Sequence, residues 1–144
     1  MTSAITLAQA NAIIEVTLAK SAEMGLKPLT VAVLDAGGHL KALARQDETS
    51  TIRPELAQGK ARGAIAMGIS SRALFNRAQE QPFFIQSINA LCDGSLVPVP
   101  GGVLVRDKAG TIVGAVGVTG DTSDNDEACA IAGIEAAGFT ADAD

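Results

Sequence analysis

The sequence predicts an α+β domain, an antiparallel sheet with helices packed on it. Three observations carry that expectation. Two valine-rich runs each fold back across a short Asp/Gly turn, in TVAVLDAGGHLKALARQD and in VLVRDKAGTIVGAVGV. Segments with apolar residues at helical spacing stand before, between and after these runs. No linker or low-complexity stretch divides the chain, and its 144 residues fit one domain, taken as 1–144.

Residues 6–24 read as the first helix. Thr6 can cap it, and Leu7, Ala10, Ile14, Leu18 and Ala22 recur at helical spacing. Gly25 stops it, with Pro28 beyond. In the first hairpin, Asp-Ala-Gly-Gly separates the two strands. Residues 54–70 read as a second helix that starts at Pro54. Gly59, Gly63, Ala66 and Ser70 would form a small-residue face on it, open to close approach by a sheet or a helix. Residues 71–96 hold three of the four phenylalanines and predict one or two short helices and a covering loop. The second hairpin spans 101–119. The last helix runs from about 124 to 137 and ends at Gly138, with Asp124 and Glu127 at the spacing of a capping box.

The two hairpins match each other. LDAGGHL overlies RDKAGTI, so that Asp35 matches Asp107, Gly38 matches Gly110 and His39 matches Thr111. In each, the Asp can bond the turn backbone and the Gly can take positive φ. In TIVGAVGV, strict alternation puts Ile112, Gly114, Val116 and Val118 on one face and Val113, Ala115, Gly117 and Thr119 on the other. Both faces are apolar, which predicts a central, covered strand. Gly114 and Gly117 are read as places where a helix lies close to the sheet, the helix 54–70 being the candidate.

Composition excludes several functions. Acidic residues number 16 against 11 basic ones, for a net charge of −5. General nucleic-acid binding needs a basic surface, and the absence of Trp and Tyr removes stacking platforms. No apolar run is long enough to span a membrane, and the N-terminus lacks the pattern of a signal peptide. Cys92 and Cys129 have no zinc-ligand spacing, so no metal site is expected, and the thiols fit a cytoplasmic protein. The Walker pattern is absent, the glycines 114, 117 and 120 lie inside a strand rather than at a Rossmann turn, and DTSDNDE has Asp126 where an EF-hand needs Gly.

Candidate chemistry concentrates in a few residues. Pro100, Gly101 and Gly102 precede a strand; their backbone amides could take a carboxylate, or the segment could be a bulge or a tight turn into the strand. Lys60 could hold a substrate carboxylate or act as a base, or be a snorkelling lysine. Arg53 is the next carboxylate binder. His39, the only histidine, shares a predicted strand face with Lys41, Leu43 and Arg45. That stripe is a solvated face, an anion or propionate site, or a general base. His39 is also the only histidine able to ligate haem iron; Tyr is absent, and the alternatives are Met or Cys. Asp126 reads as a first-turn carboxylate.

The motifs VAVLDAGGHLKALARQD, LAQGKARGA, VPGGVLV, IVGAVGVTG and DEACAIAGIEAA together resemble the GlcG/HbpS-like family, also called the haem-degrading domain family. It includes the C-terminal domain of PduO-type corrinoid adenosyltransferases. The resemblance covers roughly Ile5 to Gly138. It implies a profilin-like sandwich with a five-stranded antiparallel sheet and a homo-oligomer, and connects the chain with haem binding, cobalamin-linked systems and organic-acid catabolism. Where the family has Arg-x-Asp-Gly, this chain has Arg45-Gln46-Asp47-Glu48.

The expected function is binding of a small anionic organic acid in a catabolic pathway. An enzyme of this kind would be a cofactor-independent lyase or isomerase, doing tautomerisation or elimination through Lys60 and His39, with Pro100, Gly101, Gly102, Arg53 and Arg45 binding the ligand. The alternative is a haem-binding protein that stores, senses or helps degrade haem. A structural scaffold is a third reading.

Overall fold

The structure is a computed structural model that describes residues 4–144. Its elements are α1 (Leu7–Met24), β1 (Thr30–Asp35), β2 (Leu40–Arg45), α2 (Arg53–Met67), α3 (Ser71–Glu80), α4 (Pro82–Leu91), β3 (Gly102–Arg106), β4 (Ile112–Thr119), α5 (Ser123–Ala136) and β5 (Thr140–Asp142). The sheet has five strands in the order β2-β1-β4-β3-β5, and every neighbouring pair is antiparallel. The α+β sandwich that the sequence predicts is therefore present. The fifth strand, Thr140–Asp142, follows the last helix and covers the outer edge of β3.

The sheet has two apolar faces, as its central strands require. On one, Val31, Val33, Val103, Val105, Val116 and Val118 pack with Ile13 and Ile14 of α1 and with Cys129, Ala130 and Ile134 of α5. On the other, Leu34, Leu104 and Ala115 pack with Ala61 and Ala64 of α2. Thr6 caps α1 through a capping box with Gln9, and Gly25 closes it in the left-handed conformation. The buried stripe of α1 is Ala10, Ile13, Ile14, Thr17 and Ser21, while Leu7 stays exposed.

The matched hairpins superimpose in chemistry. Asp35 Oδ1 accepts from the amides of Gly37 and His39, and Asp107 Oδ1 accepts from those of Ala109 and Thr111. Gly38 and Gly110 both take positive φ, 81° and 85°. Each hairpin also carries an irregularity next to its turn, at Val33/Leu34 in the first and Val105/Arg106 in the second.

Those irregularities overturn the strict alternation. An extra residue on one strand of a ladder flips everything beyond it. In β4, Val113 joins Val116 and Val118 in the α1/α5 core, and Ile112 packs on the α2 side. In β2, Leu40 pairs with Leu34 and Ala42 with Val33, which leaves Lys41 as the extra residue. The predicted His39–Lys41–Leu43–Arg45 stripe is thereby broken at Lys41.

The glycines divide their roles. A Cβ on Gly117 would collide with the Ala57 carbonyl, so this residue lets α2 lie on the sheet. A Cβ on Gly114 would instead meet the Leu34 carbonyl and Ile5 Cδ1, on the opposite face. Gly59 and Gly63 do not face the sheet. A Cβ there would meet Val97 and Leu96, so that face receives the segment leading to β3. Finally, the cap of α5 is Thr122, whose hydroxyl accepts from the Asn125 amide; Asp124 pairs with Arg72 rather than capping with Glu127.

Candidate functional site

Lys60 stands near the middle of α2, and its ammonium is turned toward the end of β4. It donates to the Val118 carbonyl at 2.9 Å and to Asp126 Oδ2 at 3.3 Å. The side chains of Lys60 and Asp126 are 4% and 1% exposed, so this ion pair is out of water. Asp126 Oδ1 accepts from the Asp121 amide at 2.9 Å. Burial lowers the Lys60 pKa, opposed by Asp126, with the Arg53 charge lowering it further. Burial raises the Asp126 pKa, opposed by Lys60 and the Asp121 amide. The pair ties α2 to the first turn of α5 around the end of the sheet. Asp126 is thus the partner of Lys60, a role its sequence position did not signal.

Gly101 and Gly102 pass directly under Lys60. A Cβ on Gly101 would lie 2.8 Å from Lys60 Nζ and 2.6 Å from the Val118 carbonyl, and one on Gly102 would collide with the Lys60 carbonyl. The Gly102 amide donates to Ser71 Oγ at 2.6 Å, and the Gly101 carbonyl accepts from Val118. The segment is a tight turn into β3, and its Gly102 amide is already used. Pro100 is buried and lines a cavity of about 340 Å³ with Phe75, Val99, Arg72 and the start of α5. Arg72 there bonds Glu127 and Asp124, which raises its own pKa.

Arg53 opens α2, one face with Lys60. Its Nη1 donates to the buried Thr119 Oγ1 at 2.6 Å and its Nε to Ser50 Oγ at 3.0 Å. Lys60, Gly101, Gly102 and Arg53 are therefore gathered at one end of the sheet. Arg45 ends β2 at the same end, as the cross-strand partner of Thr30, which in turn pairs with Thr119. Arg45 lines a different cavity, of about 510 Å³, with Ser21, Leu26, Gln46 and Asp47.

His39 is not part of this group. It lies at the opposite end of β1, just beyond the first turn, and is exposed beside the exposed Leu40. Its backbone amide bonds Asp35, and its ring has no hydrogen-bond partner among the described residues. Burial pushes the Cys129 thiol up to about 11, so it stays protonated at neutral pH. Among the described residues no cluster of His, Cys, Asp or Glu could hold a metal ion, and no helix is long and apolar enough to cross a membrane.

A family model described as "Haem degrading protein HbpS-like" matches residues 5–135. The chain belongs to that family. The HbpS-like chain superposes on the crystal structure of a PduOC–haem complex with a TM-score of 0.84, at 22% identity, over 95% of its own length and 97% of the other. It superposes on the Klebsiella pneumoniae protein ORFY with a TM-score of 0.86, at 22% identity, over 96% and 93% of the two chains. A double mutant of HbpS from Streptomyces reticuli gives 0.79 at 24% identity, over 94% and 88%. At these identities the likeness establishes a common fold. No curated protein sequence matches.

Proposed function

We propose that this HbpS-like chain binds haem, with His39 as the ligand to iron. The observation that carries the reading is the superposition, over nearly the whole chain, on a domain solved with haem bound, together with membership of a family described as haem degrading. The residues present fit the group in part. An axial ligand must be a free imidazole, thiolate, thioether or phenolate. Tyr is absent and the Cys129 thiol is buried and protonated, which leaves Cys92 and Met24 as the accessible sulfur alternatives to His39 among the described residues. The His39 ring is exposed and uncommitted, with Leu40 as apolar surface and Lys41 as a cation for a propionate beside it. When bound, haem would supply the redox-active iron, and this chain's part is to ligate and orient it.

Absorption titration with haemin tests this. A saturable Soret shift in the native protein, lost in His39→Ala, is the expected result. His39 is exposed, so that variant keeps its fold. A shift that survives in His39→Ala, or no saturable shift at all, overturns the assignment.

One observation favours a second reading, proton-transfer chemistry on a small organic acid. Lys60 and Asp126 are buried together with pKa values moved toward each other, which is how proteins ready a base for neutral pH. Lys60 would be the base and Arg53 the carboxylate grip. Loss of the ultraviolet absorbance of conjugated unsaturated acids on mixing with the protein is expected, and its absence across a panel of such acids removes this reading.

A further inference from the structure

A small cavity of about 150 Å³ opens at the sheet end near Arg53. Lys27, Pro28, Glu48, Thr49, Ser50, Arg53 and Gly120 line it. We propose that it binds the carboxylate of a short monocarboxylic acid. The proposal gives a place to the ligand class of the small-acid reading above, but it concerns binding and does not require turnover.

Four features bear on the site. The guanidinium has five N–H donors, and its bonds to Thr119 and Ser50 occupy one on Nη1 and one on Nε. The remaining donors are uncommitted, and Arg53 makes no ion pair among the described residues. A guanidinium held in place by two hydroxyls is oriented before a ligand arrives, which lowers the ordering cost of binding. Second, Lys27 adds an exposed ammonium at the rim, which makes no salt bridge among the described residues although its charge is felt by Asp121. Third, the Thr30 hydroxyl, which does not line the cavity, is fully buried without a hydrogen-bond partner among the described residues and lies cross-strand from Thr119, which holds Arg53. An unpaired buried hydroxyl is uncommon. Fourth, Glu48 takes φ of 68°, a left-handed conformation that non-glycine residues seldom adopt. Such strain collects at ligand clamps.

The charges select the ligand. Two cations and the Glu48 carboxylate line the cavity. Asp121 lies close by and stays ionised, because Asn125 and the Thr122 and Lys27 amides donate to its oxygens and hold its pKa below the ordinary value. The cations are therefore balanced by two carboxylates, a ligand's carboxylate would be held by the free guanidinium donors, and a second carboxylate would meet Glu48 and Asp121. The volume is well under the roughly 300 Å³ at which drug-sized sites begin, so haem is excluded and only a few heavy atoms fit.

The test is an amide and guanidinium NMR titration of the native protein with acetate, propionate, succinate and inorganic phosphate. Acetate and propionate are expected to shift Ser50, Arg53 Nε and Gly120 saturably, with succinate and phosphate weaker. Arg53→Gln should weaken acetate binding about tenfold or more, the value of a charge-assisted bond. Because Arg53 also braces Thr119, Lys27→Gln at the exposed rim is the second variant; it should weaken binding without altering the rest of the spectrum. Glu48→Gly, which relieves the backbone, should bring succinate up to the level of propionate. Saturable binding of acetate, with no absorbance loss across the panel of conjugated unsaturated acids, leaves this site standing and removes only the catalytic reading. No saturable shift with either monocarboxylate overturns the proposal. So does a preference for phosphate, or binding unchanged in both Arg53→Gln and Lys27→Gln.

Discussion

Replacing Lys60 by Met isolates the cost of a buried carboxylate. Met matches the length and volume of the lysine stem, so packing against Gly101 is kept. The ammonium that serves Val118 and Asp126 is lost. Asp126, whose side chain is 1% exposed, then keeps the Asp121 amide as its remaining bond. Removing one member of a buried pair destabilises by about 3–5 kcal/mol, because the other is left charged without compensation. For a domain of this size each kcal/mol lowers the melting temperature by about 2–4 °C, so the expected fall is roughly 6–20 °C. The loss has a pH signature. Burial already raises the Asp126 pKa above its ordinary 3.8, and without Lys60 it rises further. A carboxyl with a raised folded pKa binds more protons in the folded state than in the unfolded one. Its contribution is therefore lost as pH rises from the ordinary carboxyl value to the folded one. Lys60→Met should lie closest to the native protein in acid and fall behind it toward neutral pH. Lys60→Met combined with Asp126→Asn removes the unpaired charge, keeps an acceptor for the Asp121 amide, and should recover most of the loss. Urea denaturation at several pH values measures all of this. A deficit under about 1 kcal/mol, the worth of an exposed pair, or a deficit independent of pH, refutes the reasoning.

Two further outcomes follow from packing. Gly117→Ala puts a methyl into the backbone of α2 at Ala57, where neither helix nor strand can give way cheaply; thermal denaturation should show a loss of about 3 kcal/mol, at the upper end for overpacking. Cys129, fully buried and with its thiol pushed up to about 11, should resist a disulfide reagent at neutral pH until the protein is unfolded, while the partly exposed Cys92 reacts in the native state.

Much of the frame was legible because local chemistry dictates it. Thr6 and Gly25 bracket α1 as their side chain and backbone freedom require. The Asp35 and Asp107 turns could be aligned residue by residue because both solve one problem with one carboxylate. What failed was anything that depends on register. A single extra residue at Lys41 or Val113 reverses a face, and no residue type announces it. The glycines of α2 were read by their spacing, yet what fills them is an extended segment around Leu96 and Val97, distant in sequence. The short strand Thr140–Asp142 carries too few residues for a periodic signal. At the site, Lys60 was picked out by its place in the LAQGKARGA motif and Arg53 by the carboxylate-gripping chemistry of its guanidinium. Asp126 did not, because a carboxylate in a first turn has an ordinary explanation, and only the fold brings it to Lys60.

The contact of α2 with the sheet limits how a domain of this kind can diversify. Where Gly117 meets Ala57, and where Gly102 meets Lys60, main chain lies against main chain with no side-chain layer between. A new pocket cannot be carved there by substitution, since there is nothing left to shorten. Change is confined to segment 46–52, which leads into the helix, and segment 93–100, which runs along its flank, and these contribute residues to each of the cavities at Arg45, Arg53 and Pro100. A laboratory effort to redirect what such a scaffold recognises would do best to randomise those two stretches and leave the helix untouched.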